Sequence, residues 1–336
     1  MVSNDDNSTL LQLGGMANGS ATENLTDTAA SGETGSYQDL TASQTFLIST
    51  AYSLQAFIII LTNVPVVVAV CIFSALHKKV HNILILNLSC SNIIKGVLLL
   101  PVSVVCIQHN DWFRYSAFAK QLFKVTGGFC NFGTLMALVA LSLEKYIYIQ
   151  YPFQHTRLFT KSRILIGVLV IWLVTALFSL SLTATSNDLF APSTFNPVNV
   201  LVLSMLFVFP LVVLVYTNLK IAAVVRQQVK RIHASSRPTY DSSRPSFLSR
   251  YEIKAIKEGV HLVLLYFLLY SPSTFLILIE ALYGHMPDIF YKHLLCQLVL
   301  YIYSIVTPVV HASNVIFRRA YRKFLTCDRT AIAPQP

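Results

Sequence analysis

Leu143-Glu144-Lys145-Tyr146-Ile147-Tyr148-Ile149-Gln150-Tyr151-Pro152 closes the third of seven apolar runs in a chain of 336 residues. An adjacent acid and base at such a place are costly to bury. A charge at the centre of a bilayer costs about 2.5–3.5 kcal/mol on insertion scales, and less toward the interface. One reading is a solvated helix end, with Lys145 reaching water along its aliphatic stem. The other is a functional pair kept at the membrane boundary. The rest of the chain distinguishes them.

Hydrophobic residues make up 54% of the chain and charged ones 12%, against roughly 25% charged in soluble domains. The mean hydropathy is +0.59. Most of this chain therefore faces lipid. The net charge of +10 would suit nucleic acid, but its distribution excludes that partner. Residues 1–50 hold no Lys or Arg, and their acids are Asp5, Asp6, Glu23, Asp27, Glu33 and Asp39. The bases cluster in alternate loops and at the C-terminus, which is a topology signal rather than a nucleic-acid footprint. The six cysteines form no Cys-x-x-Cys pair or Cys/His cluster, so no metal site is expected. Neither His-Glu-x-x-His, a P-loop nor Gly-x-Ser-x-Gly occurs, which argues against an enzyme. No cofactor is implied.

Residues 1–44 are rich in Ser, Thr, Asn, Gly and Asp and are expected to be disordered. They contain glycosylation sequons at Asn7, Asn18 and Asn24, which belong on an extracellular tail. A further match at Asn87 lies inside an apolar run and should stay unmodified. No basic region precedes an early apolar run, so no cleaved signal peptide is expected. Seven runs are long enough to cross a bilayer as helices, near 46–75, 83–108, 118–148, 164–185, 200–225, 257–282 and 291–315. Together they form a bundle over 45–315. With the N-terminus outside, about 20 of the 25 Lys and Arg fall in or next to cytoplasmic segments, while Arg114, Lys120, Lys124 and Lys292 lie on the outer side and Lys95 inside a span. The positive-inside rule and the sequons thus agree on a multi-pass plasma-membrane protein with a cytoplasmic C-terminus.

Each span holds a residue that hydrocarbon would not select: Asn63, Asn92, Trp172, then Pro210, Pro272 and Pro308 in the last three. Their order, with Glu144-Lys145-Tyr146 and the Tyr151-Pro152 that follows, resembles the rhodopsin-like G-protein-coupled receptors over roughly residues 45–327. The chain looks like a divergent, orphan-type member. The resemblance implies an all-α seven-transmembrane bundle with a short amphipathic eighth helix. It also implies a heterotrimeric G protein as transducer and makes Glu144-Lys145-Tyr146 the counterpart of the family's Asp/Glu-Arg-Tyr switch.

Nearly every motif departs from that pattern. Asn92 stands where the family usually has a sodium-anchoring aspartate, so sodium regulation is not expected. Leu269-Tyr270-Ser271-Pro272 replaces Cys-Trp-x-Pro, placing Tyr270 at the toggle position. Thr307-Pro308-Val309-Val310-His311 replaces Asn-Pro-x-x-Tyr. His311 is either a pH-sensitive group or a hydrogen-bonded helix-end histidine. Lys120 occupies the expected cysteine position near the outer end of span three, and residues 185–199 contain no cysteine, so the family's disulfide is missing. Asp111-Trp112-Phe113 still resembles its Trp-x-Phe feature. By the same resemblance Lys145 would pair with Glu252 at the start of span six. Lysine lacks the bidentate fork of arginine, so that lock should be looser and basal activity higher; the alternative is two charges that never meet.

Lys120 and Lys124 share one face of a helix, and Lys95 lies in the outer half of span two. If all three face the bundle they form a cationic upper pocket for an anionic or lipid-like small molecule. Otherwise Lys120 and Lys124 reach lipid headgroups or the acidic tail. Gly127 matches the position where amine receptors of the family carry an aspartate, and Tyr301 the position of the retinal lysine. Amine and retinal chemistries are therefore disfavoured. After Pro308, Phe317, Tyr321 and Phe324 recur at helical spacing with bases between them. Residues 316–327 are thus expected to lie as an amphipathic helix on anionic membrane lipid, ending at a candidate palmitoylation site, Cys327. The tail 328–336 is short, so any arrestin contact would rest on the serines of the third inner loop. A non-signalling receptor-like protein and a small-molecule transporter remain alternatives, although no internal repeat supports a transporter.

Overall fold

The computed structural model describes residues 40–73, 76, 79–109, 116–181, 209–235, 250–283, 289–312 and 317. Side chains of 228–259, 274, 277, 278, 280–290 and 312 fall outside that description. Among the described residues there is no strand. The helices are α1 (Ala42–Ile72), α2 (Val80–Ile94), a π-helical turn (Lys95–Leu99), α3 (Leu100–Gln108), α4 (Ala117–Gln150), α5 (Pro152–Leu158), α6 (Lys161–Ser181), α7 (Phe209–Ser235), α8 (Arg250–Tyr283) and α9 (Ile289–Ala312). Without water to bond to, a backbone in hydrocarbon has to satisfy itself, and the helix does so within one segment. Six of these segments are long and apolar enough to cross a membrane, counting α2 through α3 as one. In α8 the apolar stretch among described residues is shorter, Val260–Ser273. The sequence of its first turns is charged, with Arg250, Glu252, Lys254, Lys257 and Glu258.

Local chemistry sets several boundaries. The Thr41 hydroxyl accepts from Gln44 N at 3.3 Å while Gln44 Oε1 accepts from Thr41 N at 2.9 Å. This capping box starts α1 four residues before the sequence expectation. Ser116 caps α4 by accepting from Ala119 N at 3.2 Å. The second span, placed near 83–108 by the sequence, is helical throughout but changes to a π turn at Lys95–Leu99. Leu100 N bonds to Lys95 O, an i→i−5 bond. Pro101 explains it: proline has no N–H and its ring clashes with the carbonyl four residues back, here Val97, which lies inside the π turn. Helix α5 was not anticipated. Proline at N1 begins it, where the missing N–H is tolerated.

Helix α4 is the hub. It packs against α2, α6 and α7 and touches α8, while α1 meets α2 and α9, and α8 meets α7 and α9. In its most apolar window 56% of residues are buried, against 17% in α6. Leu165, Leu169, Leu173, Leu177 and Leu180 of α6 point outward, as hydrocarbon-facing residues should. Polar contacts join the helices inside. Asn92 Nδ2 donates to Asn63 Oδ1 at 3.1 Å, and Asn63 Nδ2 donates to Ser304 O at 2.9 Å. Asn87, whose sequon was expected to stay unmodified, is buried and accepts from Trp172 Nε1 at 2.9 Å. The sequons Asn7, Asn18 and Asn24, the third inner loop serines after Ser235, Asp111-Trp112-Phe113, Cys327 and most of 316–327 lie outside the described residues. Phe317 is helical and buried in the cluster that includes Leu76, Leu84 and Ile164.

Candidate functional site

Two polar clusters stand out within the apolar bundle. The first surrounds Lys95, which opens the π turn and is 4% exposed. Its Nζ lies 5.2 Å from the centre of the Tyr301 ring, a cation–π contact that strengthens as water is removed. Tyr301 is fully buried. Its hydroxyl donates to Gln297 Oε1 at 3.1 Å, and the Asn131 side chain of α4 reaches the same hydroxyl. Gln297 Nε2 in turn lies 2.8 Å from His293 Nε2, so the amide donates and that ring nitrogen accepts. Tyr52 meets the Tyr301 ring edge-on at 6.3 Å and donates to Leu294 O at 3.0 Å.

The structure joins Lys95 and Tyr301, which the sequence had considered separately. The backbones of the three lysines stand at different levels along the bundle. Lys95 faces α4 at the level of Cys130. At 1.5 Å per residue, Lys124 stands about 9 Å and Lys120 about 15 Å further toward the start of α4. Both are half-buried. At Gly127 a Cβ would meet only Leu99 Cδ1, at 3.9 Å. Space for a side chain exists there, and none projects. Below, Tyr270 stacks on Tyr266 at 5.0 Å, and Tyr266 meets Tyr303 edge-on at 5.0 Å. Pro272 and Pro308 lie within α8 and α9.

The second cluster is built on the quoted triplet. Successive residues of a helix point about 100° apart, and each member takes a different direction. Glu144 is 3% exposed and held between two histidines: His81 Nδ1 lies 2.8 Å from Oε2 and His155 Nε2 lies 3.0 Å from Oε1. Lys145 lines a cavity of about 10 Å³, room for one water, with Ser142, Asn218 and Val260. It also stands within electrostatic reach of the buried His311. Tyr146 packs edge-on against Tyr151 at 6.2 Å and Tyr216 at 6.0 Å. The Glu252 side chain falls outside the described residues, as does any pairing with Lys145.

Sequence reasoning passed over His81 and His155. A faint signal existed. On a continuous helix, residue 155 would share a face with residue 144, because eleven residues are close to three turns. The turn at Tyr151-Pro152 folds that face back instead. Asn92 is fully buried, and its Oδ1 has no partner among the described residues, nor has Ser304 Oγ. These neutral groups suit water better than a cation. Cys71, Cys90, Cys106, Cys130 and Cys296 are free thiols.

Comparison with known proteins gives a consistent result. The profile described as "7 transmembrane receptor (rhodopsin family)" matches residues 62–311. Among curated proteins the chain is similar to mouse trace amine-associated receptor 7d, 25% identical over 266 residues, covering 74% of each chain. It is similar to human trace amine-associated receptor 8 at 25% over 300 residues, covering 84% of this chain and 86% of the relative. To rat trace amine-associated receptor 9 the identity is 27% over 220 residues, covering 61% and 64%.

Proposed function

The chain belongs to the rhodopsin family of seven-transmembrane receptors, and from that membership we propose that it carries an anionic or lipid-like extracellular signal to a heterotrimeric G protein. The class is established: a multi-pass membrane receptor, not an enzyme, with a G protein and a small-molecule ligand as the family's partners. The ligand's charge is our reading. One observation carries it, the buried ammonium of Lys95 against Tyr301. A buried cation favours an anionic partner, because a cation–π contact offsets only part of its desolvation and opposite charge offsets more. Lys124 and Lys120, spaced outward along α4, would guide an acidic headgroup inward.

The relatives' names refer to trace amines. An amine ligand is less well served here. Gly127 offers no carboxylate, and the fixed ammonium of Lys95 would repel a second cation. In the proposed orientation the N-terminal tail, with Asn7, Asn18 and Asn24, lies outside the cell, and Lys145 faces the transducer. Activation would move α8 outward about Pro272 and Tyr270. The place of Lys145 on a cavity shared with α7 and α8 supports that reading. The weak Lys145–Glu252 lock, the anionic-lipid contact of 316–327, acylation of Cys327 and arrestin binding belong to the same proposal.

The test is a second-messenger assay in cells expressing the receptor, with fatty acids and lysophospholipids set against aryl-ethylamines. Lys95→Met should lower the potency of an acidic agonist by about 10- to 150-fold, the equivalent of a charged hydrogen bond worth about 1.5–3 kcal/mol. Activation by amines that survives Lys95→Met unchanged would refute the anionic reading.

A further inference from the structure

We propose that His81 and His155 are positioning residues that dock α5 onto α2 and α4 in a proton-dependent way, so that acid on this side of the membrane tightens their clamp on Glu144 and base loosens it. The side is cytosolic in the proposed orientation, and the ligand plays no part. The clamp joins three elements through one buried carboxylate, with His81 at 2.8 Å from one oxygen and His155 at 3.0 Å from the other. An ionised carboxylate only accepts hydrogen bonds. With neutral rings, the proton must therefore sit on Nδ1 of His81 and on Nε2 of His155. A second proton on either ring leaves the geometry in place and converts the bond into an imidazolium–carboxylate pair, which is roughly twice as strong. Histidine is the side chain whose charge changes between pH 5 and 8. A glutamine or tyrosine could make a similar bond and would not respond in that range.

Aromatic rings and charged groups surround His155. Its ring stacks on Phe159 at 5.0 Å and meets Tyr148 edge-on at 5.1 Å, and an imidazolium gains from an aromatic face. Opposing it are the cations on the packed elements: Lys79 on the approach to α2, Arg157 on α5, and Lys161 and Arg163 on α6. These four are exposed and screened by salt, and Arg163 donates to the Arg157 carbonyl at 2.7 Å. Lys145 on α4 and His311 on α9 are less screened, and His311 is in electrostatic reach of both Lys145 and His81. Tyr146 and Tyr151 complete the titratable neighbours. Among the described residues, Glu144 is in direct contact with both rings. Attraction at hydrogen-bond distance outweighs repulsion from charges further off.

The experiment is hydrogen–deuterium exchange of the full chain in lipid nanodiscs at pH 6.0 and 8.0, with rates expressed as protection over the intrinsic exchange at each pH. Amides of residues 153–158 should be about tenfold better protected at pH 6.0 than at 8.0 in the wild type. His155→Gln, which keeps an N–H donor and loses the titration, should hold a similar protection at both pH values. The double variant His81→Gln/His155→Gln should abolish the pH response while the spans keep theirs. A pH-independent wild type, or a pH response that persists in His155→Gln and in the double variant, would overturn the proposal. Because the glutamine variants retain donors, loss of the fold does not stand in for loss of the response.

Discussion

A lysine over a buried tyrosine is stabilised in two ways at once, and the two can be separated. The Tyr301 ring attracts the ammonium, while its hydroxyl bonds to Gln297 at 3.1 Å. Tyr301→Phe keeps the ring and removes the hydroxyl, leaving Gln297 Oε1 short of a donor. That change should cost about 1 kcal/mol. Tyr301→Leu removes both and leaves Lys95 against an aliphatic side chain, adding about 2 kcal/mol for a desolvated cation–π contact. Thermal unfolding in detergent should therefore rank wild type above Tyr301→Phe and Tyr301→Phe above Tyr301→Leu. Equal melting temperatures for the two variants would remove Lys95 from the account. At this scale the sequence revealed which residues were costly. It marked Lys95, Asn92 and Glu144 because hydrocarbon penalises them, and Tyr301 only through the resemblance, at the position of the family's retinal lysine. It did not reveal their partners. His81 and Glu144 are 63 positions apart, and no local pattern connects them.

Between elements, α1 packs tightly on the second span at the π turn. A Cβ on Gly96 would lie 3.1 Å from Ile60 Cγ1 and 3.3 Å from the Ala56 carbonyl oxygen. Small residues at such crossings let membrane helices pack without a hydrophobic driving force between them. Gly96→Ala should push the two spans apart at a cost of about 1–3 kcal/mol, even though alanine is the better helix former. A lowered melting temperature with normal membrane insertion is expected; an unchanged or raised one would mean that Ile60 yields freely. The π turn itself was not legible from apolar content, since hydropathy is the same whether a helix is regular or bulged. Pro101 was its visible cause. Its consequence, the direction in which Lys95 points, needed the neighbouring helix.

Across the whole molecule, charge asymmetry sets the orientation that we propose. An epitope placed before residue 40 should bind antibody on intact cells, and one after residue 327 only after permeabilisation. The reverse pattern would contradict both the sequons and the distribution of Lys and Arg. The bundle is centred on α4, and this centring brings the two candidate regions onto one helix. Lys95 faces Cys130 near its middle, and Glu144 lies near its end. A shift of α4 relative to α2 would be felt at both.

Seven apolar runs and the bases between alternate runs were enough to specify the membrane and the helical class. Those properties follow from local composition, because a bilayer imposes one secondary structure on any segment long and apolar enough to enter it. The triplet Glu144-Lys145-Tyr146 was legible as exceptional for the same reason. Only the tertiary structure decided what it touches. Whether Glu144 meets a lysine, water or two histidines depends on how α2 and α5 come to rest against α4, and burial energy is blind to that choice until all three helices are in place. The sequence therefore specified where polar groups are exceptional, and the packing of distant helices determined with which partners they are satisfied.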